Sequence, residues 1–219
     1  CTKPYNASVP VTLGLDSLGS SGRLSNQRVG LVCNPASLDR HFQHAAKVVV
    51  NSGAKLTALF GPQHGFTSDR QDNMVETPHG HDEHHLVPVY SLYSETRTPT
   101  TEMLNGIDLM VIDLPDIGTR VYTYASTMAN CLRACREHGI PVIVTDRPNP
   151  IGGVTVEGPM LESGWTSFVG QFPIPLRHGI HRWVRVGRDH AFHLYRSVDR
   201  RGHALWNIAS EAGLSVAVV

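Results

Sequence analysis

The residues able to do chemistry in this chain are gathered behind apolar runs. The clearest case is Leu59-Phe60-Gly61-Pro62-Gln63-His64-Gly65-Phe66. A β-prone stretch from Lys55 to Phe60 stops at a Gly-Pro pair, an amide and an imidazole follow, and Gly65 frees the backbone again. Two further apolar runs end the same way, in Asp113 to Arg120 and in Asp146-Arg147-Pro148-Asn149. Together these loops and their neighbours offer carboxylates (Asp69, Asp72, Glu76, Asp113, Asp116, Asp146, Glu157), two arginines (Arg120, Arg147) and two histidines (His64, His178). Carboxylates set among hydrogen-bond donors suit glycoside hydrolysis, in which an acid protonates the leaving oxygen and a second group manages water or the developing cation. Arginines beside Asn149 suit a substrate carboxylate or acetamido group. Plainer roles stand beside these: His64 as part of an ordinary turn, Asp113 and Asp146 as caps of nearby amides, Asp116 and Arg120 as an internal salt bridge. No GxGxxG follows the first strand, and neither a P-loop nor a GxSxG is present, so nucleotide binding and an α/β-hydrolase triad lack their signatures.

The elements that must position these loops read as an alternation of strands and helices. Arg28 to Cys33 is a short continuous apolar run ending in Asn34-Pro35, the pattern of a buried parallel strand. Ser37 and Asp39 are candidate caps for a helix from His41 to Ser52, which Gly53 ends, and Lys55 to Phe60 is the next strand. Gly61 to Pro88 has little apolar periodicity and reads as a long loop, functional or disordered. Val87 to Tyr93 is a strand, Thr100 to Leu104 a short helix closed by Gly106, and Ile107 to Leu114 the most apolar strand. Tyr122 to His138 has helical periodicity with Gly139 as its C-cap, and Ile140 to Thr145 is a further buried strand. Strands alternating with helices give an α/β fold: a Rossmann-like, doubly wound, mostly parallel sheet with helices on both faces. In such sheets the loops after the carboxyl ends of the strands hold the ligand. Residues 1–27 read as a leader strand or loop docked on a domain spanning 28–179.

Composition agrees with this reading and narrows the partners. The 219 residues carry zero formal net charge, so no global field draws the chain to nucleic acid or an anionic membrane. No apolar run approaches the roughly 18 residues of a membrane span. Cys1, Cys33, Cys131 and Cys135 form no CxxC, and Cys131 and Cys135 sit one helical turn apart as small core residues. Cys1 reads either as a lipid-modified amino-terminal cysteine or as the start of a trimmed chain; the first would put the chain outside the cytoplasm, the setting favoured here over the cytoplasm. His79-Gly80-His81-Asp82-Glu83-His84-His85 invites a metal reading but lacks the spacing of a helical zinc motif, so no metal ligand is assigned.

Taken together, the motifs resemble the exo-β-N-acetylmuramidase (NamZ-like) family, long catalogued as a domain of unknown function. The resemblance is carried by Arg28 to Pro35, Leu59 to Phe66, Pro88 to Tyr93, Asp113 to Tyr124, Asp146 to Gly153, Glu157-Gly158-Pro159 and Pro173 to Gly179. It implies a Rossmann-like amino-terminal domain followed by a smaller domain, with the site in the cleft between them. It also implies removal of terminal N-acetylmuramic acid from peptidoglycan fragments, with no cofactor. With that resemblance in view, Gln63, His64 and Asp116 are catalytic candidates, and Glu76 joins them because residue 63 departs from the family pattern. Asn34, Arg120, Tyr122, Arg147, Asn149, Glu157 and His178 are the substrate-binding ones.

The chain departs from the family pattern at two places. The family's turn commonly reads Gly-Pro-Glu-His-Gly, whereas this chain has Gln63, and an amide does not deliver a proton as a carboxylic acid does. Either the acid has moved, with Glu76 in Asp72-Asn73-Met74-Val75-Glu76-Thr77 as first choice, or the domain binds sugar without cleaving it. The second departure is the Arg-, His- and Trp-rich stretch from Ile180 to Val219, which reads as a truncated or frameshifted remnant of the region that follows. No strand or helix stripe is expected in it before Leu214 to Val219.

Overall fold

The computed structural model describes residues 12–70, 72, 75–117 and 122–148, together with the backbone of three short strands further on. Its elements are α1 (Gly14–Ser20), β1 (Arg28–Val32), α2 (Ala45–Asn51), β2 (Lys55–Gly61), β3 (Gly80–Asp82), β4 (Val87–Ser91), α3 (Thr101–Leu104), β5 (Leu109–Ile112), α4 (Tyr124–Glu137) and β6 (Val142–Val144). The three later strands are β7 (Val184–Val186), β8 (Phe192–Leu194) and β9 (Val216–Val218).

One sheet has the order β3-β4-β2-β1-β5-β6-β9. All its pairings are parallel except β3 with β4. β7 and β8 pair separately as an antiparallel hairpin. Among the parallel strands, the chain winds outward from β1 through β2 to β4, then crosses to β5 and winds the other way to β6. The winding reverses between β1 and β5, and this is where a doubly wound sheet opens a crevice at its carboxyl edge.

Period-two alternation builds a core on each side of the sheet. Val29, Leu31, Leu59, Val111 and Ile143 face α1 and α2, packing with Leu15, Leu18, Ala45, Ala46 and Val49. Val32, Phe60, Met110, Ile112 and Val142 face the other way, against Met103 and Leu104 of α3 and Cys131, Leu132 and Cys135 of α4. The expected architecture of helices on both faces is therefore present.

Several boundaries differ from the sequence reading, each for a local reason. Residues 14–20 form a helix rather than a strand or loop, and Leu15 and Leu18, three apart, supply its buried stripe. The helix expected from His41 starts at Ala45. His44 is its N-cap, its ring nitrogen accepting from the Ala46 amide at 3.3 Å. Asp39 instead turns the loop ahead of it, accepting from the amides of His41 (2.8 Å) and Gln43 (2.7 Å). The Gly61 to Pro88 segment contains β3, too short to announce itself by alternation. β7 and β8 lie in the stretch where no stripe was expected, while β9 falls within Leu214 to Val219.

Candidate active-site edge

The turn after β2 is locked by its own backbone. A Cβ on Gly61 would lie 2.5 Å from the Phe66 amide nitrogen, so only glycine lets the turn close this tightly. The Gly65 amide donates to the Pro62 carbonyl at 2.9 Å, and both His64 (φ 72°) and Gly65 (φ 82°) are left-handed. His64 is fixed further by its Nδ1, 2.7 Å from the Arg70 carbonyl. Gln63 is driven inward and is only 7% exposed. Its Oε1 accepts from the Thr123 hydroxyl at 2.8 Å, joining the β2 turn to the start of α4.

The loop after β1 is held as firmly. Asn34, 4% exposed, closes an Asx turn on the Ala36 amide (3.0 Å). Its side-chain amide donates to the Tyr124 hydroxyl at 2.8 Å, and its backbone amide donates to Ser37 Oγ at 3.0 Å. His44 Nε2 lies 3.0 Å from the Asn34 carbonyl while its Nδ1 accepts the Ala46 amide, a pair of contacts that fits the neutral ring protonated at Nε2. The same ring stands edge-on to Phe66, 5.7 Å between centroids, and so ties the β1 loop to the β2 turn.

Tyr124 is the hinge of this group. Burial above all pushes its hydroxyl up to about 12, with nearby Tyr122 and Asp116 adding to the rise and the Asn34 hydrogen bond opposing it. The Tyr122 and Tyr124 rings meet edge-on at 4.7 Å. Asn34, Tyr122 and Tyr124 thus meet where the sheet winding reverses, with Gln63 and Thr123 beside them and the Asp116 charge acting on the Tyr124 hydroxyl.

Asp113 and Arg147 form a different unit. Asp113 is fully buried, and Arg147 grips it with two parallel hydrogen bonds, Nε to Oδ1 at 2.7 Å and Nη2 to Oδ2 at 2.6 Å. Arg147 Nη1 also donates to the Leu38 carbonyl at 2.6 Å, and Ser37 Oγ donates to the Asp113 carbonyl. Arg147 was expected to face the sugar. Its guanidinium instead clamps the ends of β5 and β6 to the β1 loop. The Asp146 carbonyl likewise serves the fold, accepting the Gly14 amide at the start of α1.

Glu76 stands apart from the Gln63 turn. Its side chain is 59% exposed and pairs with Arg97 at 3.1 Å, and Arg97 in turn stacks over the Tyr93 ring. No hydrogen bond or ion pair among the described residues joins Glu76 to Gln63. The neighbouring Thr77 does approach the turn: its methyl would lie 3.2 Å from a Cβ on Gly65. The histidine-rich stretch is taken up locally. His79 accepts the Ser91 amide (2.9 Å), and His85 pairs with Asp82 (2.6 Å). Arg120, Asn149, Glu157 and His178 lie outside the described residues. Thr123, Tyr124 and His44 were not picked out from sequence, and Ser37 was read only as a helix cap. The available signal was position, since Thr123 and Tyr124 open the helix that follows the most apolar strand.

A model of the family described as exo-β-N-acetylmuramidase NamZ, N-terminal, matches residues 29–182. The chain belongs to that family. The peptidoglycan β-N-acetylmuramidase NamZ of Bacillus subtilis (strain 168) is 46% identical over 173 residues, which is 78% of this chain and 42% of that protein. The NamZ-like fold is also seen in two crystal structures of DUF1343 family proteins from Bacteroides fragilis NCTC 9343. One has 41% identity and a TM-score of 0.67, covering 75% of this chain and 41% of the other. The second has 28% identity and a TM-score of 0.62, covering 76% and 43%. The chain therefore spans about two-fifths of the length of these NamZ-like relatives. Among the described residues, no helix is long and apolar enough to cross a membrane.

Proposed function

We propose that this chain forms the amino-terminal, sugar-holding part of an exo-acting β-N-acetylmuramidase working on peptidoglycan fragments. The observation that carries the reading is the meeting of Gln63, Asn34, Tyr122 and Tyr124 at the carboxyl edge where the sheet winding reverses, with the Asp116 charge acting on the Tyr124 hydroxyl. Neutral donors and acceptors held among aromatic rings, with one carboxylate nearby, suit an amino sugar better than a nucleotide. Hydrolysis of a chromogenic N-acetylmuramide tests the activity. Turnover that is abolished in Asp116→Asn supports the enzyme reading, and absence of both turnover and saturable binding removes it.

A second reading, a carbohydrate-binding domain without catalysis, is favoured by one observation. The residue at the catalytic turn is a buried amide held by Thr123. Saturable binding of N-acetylmuramic acid without turnover selects it. Glu76 separates the two further. Its ion pair is exposed and contributes little to stability, so a Glu76→Gln protein folds normally and its kinetics report chemistry alone. Full activity in that variant ends the case for a relocated acid. A peptidoglycan-derived substrate also fits an extracytoplasmic setting with lipid on Cys1, which mass spectrometry of the amino-terminal peptide tests. The remnant reading of residues 180–219 is tested by translating the other frames of the coding DNA.

A further inference from the structure

Thr123 occupies the N-cap position of α4 yet makes no side-chain cap. Threonine at that position ordinarily accepts from an amide of its own helix's first turn. Here the hydroxyl is spent on Gln63 instead, and the residue is only 3% exposed while doing so. Its carbonyl is committed to the helix, accepting from the Thr127 amide and hydroxyl. The other partner is equally constrained. The Gln63 backbone sits in a turn that admits no Cβ at Gly61, that the Gly65 amide closes on the Pro62 carbonyl, and that His64 braces against the Arg70 carbonyl. Among the described residues, the amide nitrogen of Gln63 has no hydrogen-bond partner. The side chain is thus more than nine-tenths buried with its oxygen engaged and two N–H donors left at the opposite end.

We propose that Thr123 is a positioning residue that fixes the orientation of the Gln63 amide. The site then presents a hydrogen-bond donor at the catalytic turn to an acceptor oxygen of the bound amino sugar, its acetamido carbonyl or its carboxylate. This rests on the amino-sugar reading for the identity of the ligand, but the hold of Thr123 on residue 63 is independent of any ligand. In chemical terms, the amide at residue 63 supplies a fixed hydrogen-bond donor rather than a proton. The α4 hydroxyl takes the oxygen end of the side chain and leaves the N–H end for the sugar.

Two measurements on the full 219-residue chain decide it. The first is affinity for N-acetylmuramic acid, followed by titration calorimetry. Thr123→Val removes the hydroxyl at nearly constant shape and is expected to weaken binding about tenfold, with Thr123→Ser restoring it. A purely structural role would lower the unfolding midpoint in Thr123→Val and leave affinity within twofold of the parent, and that result overturns the proposal. The second needs no ligand. In Gln63→Glu, the introduced carboxyl is titrated by NMR with and without Thr123→Val. Donation by the hydroxyl stabilises the ionised form, so removing it is expected to raise the pKa by about one unit. An unchanged value overturns the proposal. A raised value in a chain that binds no N-acetylmuramic acid supports the hold of Thr123 and rejects the amino-sugar reading alone.

Discussion

Asp113 has no exposed surface, and a carboxylate taken out of water is tolerated only with a partner that matches its shape. Arg147 is that partner, 34 positions away in the chain. Separation of this kind is why the pair was not legible in sequence: two polar residues at two strand ends look equally suited to a ligand and to each other. Asp113→Ala leaves a buried guanidinium uncompensated and is expected to cost about 3–5 kcal/mol, read as a drop in the urea midpoint. Asp113→Leu combined with Arg147→Met is expected to recover most of that loss, because a well-packed apolar pair replaces an ion pair that had to be desolvated. If the double variant is no more stable than the single one, the clamp does more than satisfy its own charges. Gln63 shows the opposite case. Its importance was legible because Gly61, Pro62 and Gly65 mark a turn of fixed shape, but its partner, Thr123, was not.

The strands were the most readable elements. β1, β2, β5 and β6 are buried on both faces, so each appears in the sequence as an apolar run that needs no interpretation of period. α1 was hidden because Gly14, Ser17, Gly19 and Ser20 are of the types that usually mark loops, and only Leu15 and Leu18 betray it. The β2 turn gives a sharp prediction. Gly61→Ala sets a methyl 2.5 Å from the Phe66 nitrogen and 3.1 Å from the Gly65 carbonyl carbon, backbone atoms that cannot rotate away. A loss of about 2 kcal/mol or more is expected, again from the urea midpoint, together with loss of ligand binding. The first turn of α4 gives another. Tyr124 ionises near 10 when unfolded and near 12 when folded, so the neutral hydroxyl stabilises the native state below pH 10. That contribution is lost as the pH rises from about 10 to about 12. Unfolding midpoints measured across this window are expected to fall more steeply for the parent than for Tyr124→Phe, and parallel slopes would contradict the assignment.

At the scale of the molecule, the chain carries the crossing point of the sheet together with the residues that line it, while spanning about two-fifths of the length of its relatives. The sheet also divides the thiols. Cys33 is buried with α1 and α2 on one face, and Cys131 and Cys135 are buried with α4 on the other. Burial holds all three above the ordinary thiol range, Cys135 at about 12. None can react until its own face comes apart. In a Cys1→Ser background these side chains become two stopwatches, one for each half of the sandwich. Because β1, β2, β5 and β6 contribute to both halves, the two sets are expected to be labelled by a thiol reagent at a single rate equal to that of global unfolding. Earlier labelling of Cys131 and Cys135 would mean that α4 lifts from the sheet by itself, carrying Thr123 and Tyr124 away from the edge they organise.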